Sequence, residues 1–161
     1  MKYQRILVPL DGSALAECVL DHVSSIVKGC SIPEVILLRV IEPEHVPIGY
    51  SVEGALTIED ARKAEKETDA QNKQAAGEYL NKIIHSFTTK NADFHAEVQS
   101  GKPAETIIEY AENNLIDLII IATHGRSGVS RWVWGSTADK ILRGTLTPVL
   151  MVRPPSCHPV M

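Results

Sequence analysis

Leu118-Ile119-Ile120-Ile121-Ala122 runs straight into Thr123-His124-Gly125-Arg126-Ser127-Gly128, an unbroken apolar stretch giving way to a loop of glycine, serine and arginine. A strand without polar alternation suits a parallel sheet covered on both faces. As the most apolar strand of the chain, it is expected to be central. In open parallel sheets, ligands bind outside the carboxyl ends of strands, where the strand order reverses. The loop that begins at Thr123 is therefore the first place to look for chemistry. It continues to Trp134, and the last helix is expected to start near Ser136.

Working outward, short β-branched runs alternate with longer segments of helical period, which predicts parallel βαβ units. Ile6-Leu7-Val8-Pro9 is the first strand, and Asp11-Gly12-Ser13 breaks it. Ser13 suits the N-cap of one helix with the apolar face Ala16, Val19, Leu20, Val23, Ile26 and Val27, ended by Gly29. Val35 to Val40 is the second strand. Residues 42–56, with two prolines and two glycines, form a long loop expected to lie near a ligand or over a sheet edge.

Thr57 opens a long helix with Asp60 three residues on, a weak capping box. Its first half, Glu59 to Lys73, is charged nearly all round and is expected to project beyond the sheet or pack shallowly on it. Apolar residues return at Tyr79, Leu80, Ile83, Ile84 and Phe87. Phe94 to Val98 is the third strand, and a helix runs from Pro103 to Asn113 or Asn114. Val149 to Val152 is the last strand. The expectation is one α/β domain over residues 1–153: an open five-stranded parallel sheet, Rossmann-like, with four helices on both faces. Residues 154–161 are expected to be a flexible tail.

Composition narrows the function. The 161 residues suit a single core. A formal net charge of −4 and the lack of any Lys/Arg cluster speak against a nucleic-acid binder. Three cysteines, Cys18, Cys30 and Cys157, form neither an even disulfide framework nor a metal-ligand spacing. The apolar run at Ile6 to Leu10 is too short for a signal peptide or membrane span. A cytoplasmic protein without membrane contact is the expectation.

Two loops have the composition of a ligand crevice: Pro9-Leu10-Asp11-Gly12-Ser13, and the segment from Ala122 to Ser136. Gly125 and Gly128 leave backbone N–H groups open to close approach. Gly135 and Ser136 present the first free N–H groups of a helix, whose dipole favours an anion. Arg126 and Arg131 stand near to screen negative charge. Glycine count alone fits a plain turn equally well. There is no Walker loop, because Gly101-Lys102-Pro103 lacks the upstream glycine and the Ser/Thr, and there is no G-x-G-x-x-G fingerprint. His124 reads as a hydrogen-bonding residue rather than an acid or base.

The spacing Ala122-x2-Gly125-x9-Gly135-Ser136 resembles the G-x2-G-x9-G-(S/T) signature of ATP-binding universal stress proteins. The resemblance extends from Ile6-Leu7-Val8-Pro9-Leu10-Asp11-Gly12-Ser13 to Thr147-Pro148-Val149-Leu150-Met151-Val152. It implies an adenine nucleotide alpha hydrolase-like fold holding ATP, AMP or ADP, with any Mg²⁺ bound through the phosphates. It places Asp11 on the ribose hydroxyls, and Pro9 and Val40 around the adenine, Val40 partly through its backbone. Gly125, Arg126, Ser127 and Gly128, with Gly135, Ser136 and Thr137, match the phosphate-cradling segments, and Leu10, Ala122, Thr123, His124 and Ala138 are expected to bind the nucleotide beside them. Ala122 stands where the signature has its first glycine. At a strand end its φ should be negative, so alanine is tolerated there.

What the resemblance implies is a nucleotide-dependent regulatory or stress-response module acting on a protein partner the sequence does not name. It also implies a homodimer paired through Val149 to Val152. A slow ATPase or nucleotidyl-transfer enzyme is the alternative, with Asp11, Glu42 and His124 as the available groups but no motif arranging them. A ligand-free homodimeric interaction protein is the third reading. No catalytic and no metal-ligating residues are assigned.

Overall fold

The computed structural model describes residues 3–43, 58–87, 92–123 and 136–153, with the side chains of the long helix from Arg62 onward. Five parallel strands form one sheet in the order β3-β2-β1-β4-β5. They are β1 (Arg5–Pro9), β2 (Glu34–Ile41), β3 (Asp93–Ser100), β4 (Leu118–Ala122) and β5 (Val149–Val152). β1 takes the middle, with Ile6 to Leu10 buried throughout. β4 is interior, as its apolar run predicts, but lies one place off centre because β5 covers its other edge.

Strand alternation sorts the apolar side chains into two layers. Ile6, Val8, Val35, Leu37, Leu118 and Ile120 face α2 (Leu20–Cys30) and the second half of α3 (Ile58–Ser86). Leu7, Ile36, Leu38, Ile119 and Ile121 face α4 (Pro103–Asn113) and α5 (Ser136–Gly144). Helices thus cover both faces. Among the described side chains of α3, the first buried one is Ala76, so the charged stretch before it does not pack on the sheet. Phe87, just past its end, stacks on Phe94 of β3 at 4.5 Å between ring centroids.

Two expectations need correcting. The single helix after Ser13 is two, α1 (Ala14–Glu17) and α2, joined through Cys18 and Val19. There the amides of Cys18 and Val19 donate three residues back, to Leu15 and Ala16 at 3.3 and 3.4 Å. This tighter turn interrupts the α pattern without rotating the apolar face away from the sheet. The described residues therefore hold five helices, not four. Nor does Gly29 end α2: the helix runs to Cys30, and Ser31 takes the left-handed C-cap conformation at φ 52°. The strands also extend beyond the expected β2 and β3 by one or two residues at their ends. Thr57, most of the 42–56 loop and the 154–161 tail lie outside the described residues.

At the amino ends of the strands, the Asp117 carboxylate accepts from the backbone amides of Gln4 and Arg5 at 2.6 and 2.8 Å. Arg5 pairs with Glu34 at 2.6 Å and donates to the Asn114 carbonyl at 2.7 Å. These contacts set the register of β1 between its neighbours and leave the opposite, carboxyl end for the site.

Candidate functional site

The order β3-β2-β1-β4-β5 reverses between β1 and β4, and a cavity of about 660 Å³ opens at the carboxyl ends of those strands. This is the volume of a small-ligand site. Its apolar walls are Pro9 and Leu10 after β1, Leu38 and Val40 of β2, Ile107 of α4 and Ile121 of β4. Polar groups enter from the turn after β1, as Asp11 and Ser13, and from the end of β2, as Glu42. Ser136, Thr137 and Ala138 bring the first turn of α5 to its edge.

The turn after β1 is held by side chains that accept from nearby backbone amides. Ser13 N–H donates to Asp11 Oδ1 at 2.9 Å, and Ser13 Oγ accepts from Ala16 N–H at 3.1 Å, capping α1 as the sequence predicts. Gly12 between them has φ 83°, a conformation that excludes most side chains. The Asp11 carboxylate is exposed on the cavity side.

Val40 offers a backbone edge. β1 pairs with β2 as far as Pro9 opposite Leu38, and Leu10 N–H donates to the Leu38 carbonyl at 2.9 Å. On the other side, Gly101 N–H donates to the Ile41 carbonyl at 2.9 Å. Successive residues of a strand direct their N–H and C=O to opposite edges. Val40 therefore turns its donor and its acceptor toward the cavity, past the point where β1 has left the ladder. An adjacent donor and acceptor match the N1 and amino edge of adenine, and mismatch guanine, which presents them in the opposite sense.

The structure thus brings together Pro9, Leu10, Asp11, Val40, Ala122, Ser136, Thr137 and Ala138, eight of the residues singled out in the sequence, around one cavity. Ala122 ends β4 and is not among the positive-φ residues, which other than glycine are, among the described residues, Ser31 and Leu115. Alanine therefore fits this position without backbone strain. Thr123 is elsewhere: it is buried, and its amide donates to the Val152 carbonyl at 2.8 Å, continuing the β4–β5 ladder. His124, Gly125, Arg126, Ser127, Gly128 and Gly135 lie outside the described residues. Glu42, available as an acidic group from the sequence, also reaches the cavity, whereas sequence reasoning missed Leu38, Ile107 and Ile121, which read there as ordinary core positions.

Among the described residues, no group of three or more His, Cys, Asp and Glu is placed to hold a metal ion. No helix among them is long and apolar enough to cross a membrane.

Fold and cavity define a doubly wound α/β protein with a ligand crevice at its switch point. The model of the universal stress protein family matches residues 2–153, and the chain belongs to that family. Universal stress protein MJ0531 of Methanocaldococcus jannaschii is 30% identical over 153 residues, covering 95% of this chain and 84% of its own. MJ0577 of the same organism is 28% identical over 155 residues, covering 94% of this chain and 95% of its own. The solved structure of MJ0577 superposes with a TM-score of 0.75 at 26% identity, covering 96% of this chain and 99% of that one. Two more distant structures share the fold. A universal stress protein in complex with cAMP has a TM-score of 0.63 at 19% identity, covering 95% and 98% of the two chains. One from Archaeoglobus fulgidus in complex with dAMP has a TM-score of 0.52 at 22% identity, covering 94% and 98%.

Proposed function

We propose that this chain binds an adenine nucleotide, ATP in the first instance, in the cavity at the β1–β4 switch point, and acts as a nucleotide-dependent regulatory module. The observation that carries this reading is the free donor–acceptor edge of Val40 on a cavity of about 660 Å³ whose rim also holds the Asp11 carboxylate and the start of α5. The base lies between Pro9, Leu10 and Val40 and is read by the Val40 backbone. Asp11 accepts from the ribose hydroxyls. The phosphates run toward Ala122 and the first turn of α5, whose unpaired N–H groups and dipole favour anions. His124, Gly125, Arg126, Ser127, Gly128 and Gly135 complete the cradle on the strength of the sequence signature, with Thr123 holding the strand end from which they depart. Mg²⁺, where present, is held mainly by the phosphates. The family members seen with cAMP and dAMP support an adenine nucleotide here without deciding its phosphate count.

Regulation rather than turnover is the favoured role, with two chains joined along β5, a sheet edge where Leu150 is 37% exposed. Cytoplasmic location accords with this role. The test is to denature protein purified without added nucleotide and identify the released ligand by mass spectrometry, with Gly125→Val in parallel. Adenine nucleotide released from the parent and absent from the variant supports the reading. A chain that neither carries nor takes up adenine nucleotide refutes it.

A further inference from the structure

Arg39 precedes Val40 in β2 and directs its side chain to the opposite face of the sheet, toward α3. Its guanidinium carbon lies 5.3 Å from the centre of the Tyr79 ring, a cation–π distance. The guanidinium also covers Gly12: Nη1 occupies the space that a Cβ at that residue would need. The Tyr79 hydroxyl in turn donates to Glu17 Oε1 at 3.0 Å, and Glu17 belongs to the helix that Ser13 caps. A closed circuit therefore runs from Gly12 through Arg39, Tyr79 and Glu17 back to Ser13. Arg39 is not among the cavity-lining residues.

Gly12 sits at φ 83°, and the side-chain bonds described for the turn run among residues 11 to 16. The Arg39 guanidinium, packed beside Gly12 and within cation–π distance of the Tyr79 ring, ties the turn to β2 and α3. We propose that Arg39 is a positioning residue for Asp11: packed against both Tyr79 and Gly12, it fixes the turn that presents the Asp11 carboxylate to ribose hydroxyls. The proposal rests on the nucleotide reading of the cavity. It adds that the precision of ribose recognition is set from the far face of the sheet, through α3.

Two readouts on the full chain test it. The first is the affinity for ATP and for 2′,3′-dideoxy-ATP in the parent, Arg39→Met and Arg39→Lys. The parent is expected to prefer ATP. Arg39→Met should lose at least about fivefold for ATP with the dideoxy affinity held within about twofold, a difference beyond the reach of one neutral hydrogen bond's scatter. Arg39→Lys should not rescue, since a compact ammonium cannot both lie over the ring and reach Gly12 with a second nitrogen. Equal losses for both ligands would mean that Arg39 only supports the fold and would overturn the proposal. So would unchanged affinities. The second readout needs no ligand: exchange of the Ser13 amide, bonded to Asp11, should quicken about tenfold in Arg39→Met and in Tyr79→Met, a loss of order one hydrogen bond's stability. Unchanged exchange overturns the positioning claim whether or not nucleotide binds. Binding of neither nucleotide by the parent defeats the nucleotide reading and the ribose claim with it.

Discussion

Tyr79 in the second half of α3 donates its hydroxyl to Glu17 of α1 at 3.0 Å, joining the long helix to the turn that borders the cavity. Burial, then the hydrogen bond and charge of Glu17, hold the Tyr79 phenol well above the usual tyrosine range, with Arg39 pulling the other way. The folded state thus favours the neutral phenol. An unfolded tyrosine ionises near pH ~10, so this contribution is complete below that pH and fades as pH rises toward the folded value. Tyr79→Phe is expected to lower stability by about 1 kcal/mol at neutral pH, the partly exposed site reducing what a charged acceptor gives. It should also flatten the loss of stability above pH ~10. Urea unfolding at pH 7 and at pH 10.5 to 11 checks both, and an alkaline limb as steep in the variant as in the parent would contradict the assignment.

Gly12 cannot be replaced without cost. Alanine at φ 83° is unfavourable by roughly 1–2 kcal/mol, and its Cβ would displace the Arg39 guanidinium as well. Gly12→Ala should lower the melting temperature and weaken nucleotide binding together, measured by thermal unfolding with and without ATP. Retained affinity in a destabilised variant would show that the turn does not shape the site.

Leu115 offers the opposite case. It follows α4 at φ 52°, is 80% exposed, and sits where the Ile116 amide reaches back to the Ala111 carbonyl at 3.0 Å. That is a helix C-terminus built for glycine. Leu115→Gly should stabilise the protein by about 1 kcal/mol, the left-handed strain outweighing the extra freedom of the unfolded chain. Because Leu115 lies at the amino ends of the strands beside Gln4 and Arg5, nucleotide affinity should not change.

The cysteines should separate by reactivity. Cys30 is exposed in the last turn of α2, whereas Cys18 is half-buried and burial pushes its thiol up. The thiolate is the reactive form, so a maleimide at neutral pH should modify Cys30 well before Cys18. Peptide mapping by mass spectrometry distinguishes them, and unfolding should remove the difference.

The sheet was legible in the sequence because Ile6 to Leu10, Val35 to Leu38 and Leu118 to Ala122 are apolar without alternation, a pattern that suits buried parallel strands. The break between α1 and α2 was not legible, since Ala16, Val19, Leu20 and Val23 keep one face through the tighter turn. Nor was the end of α2, because Ser31 adopts a conformation that glycine would be expected to take. Within the site, Pro9, Leu10, Asp11 and Ala122 could be placed by their loops and spacing, and Val40 by the family resemblance. Leu38, Ile107 and Ile121 could not be told from ordinary core residues, because only strand register reveals which of them reach the cavity. Arg39 and Tyr79, forty residues apart in the chain, meet only once α3 packs across β2 and β3.

Calorimetric titration of nucleotide-free protein with ATP, and separately with GTP, tests the central claim most directly. The Val40 edge predicts one ATP per chain and GTP weaker by about tenfold or more, the cost of leaving a buried donor or acceptor unpaired. Equal affinities would contradict recognition of the base by Val40, and the absence of ATP binding at millimolar concentration would contradict the nucleotide site itself.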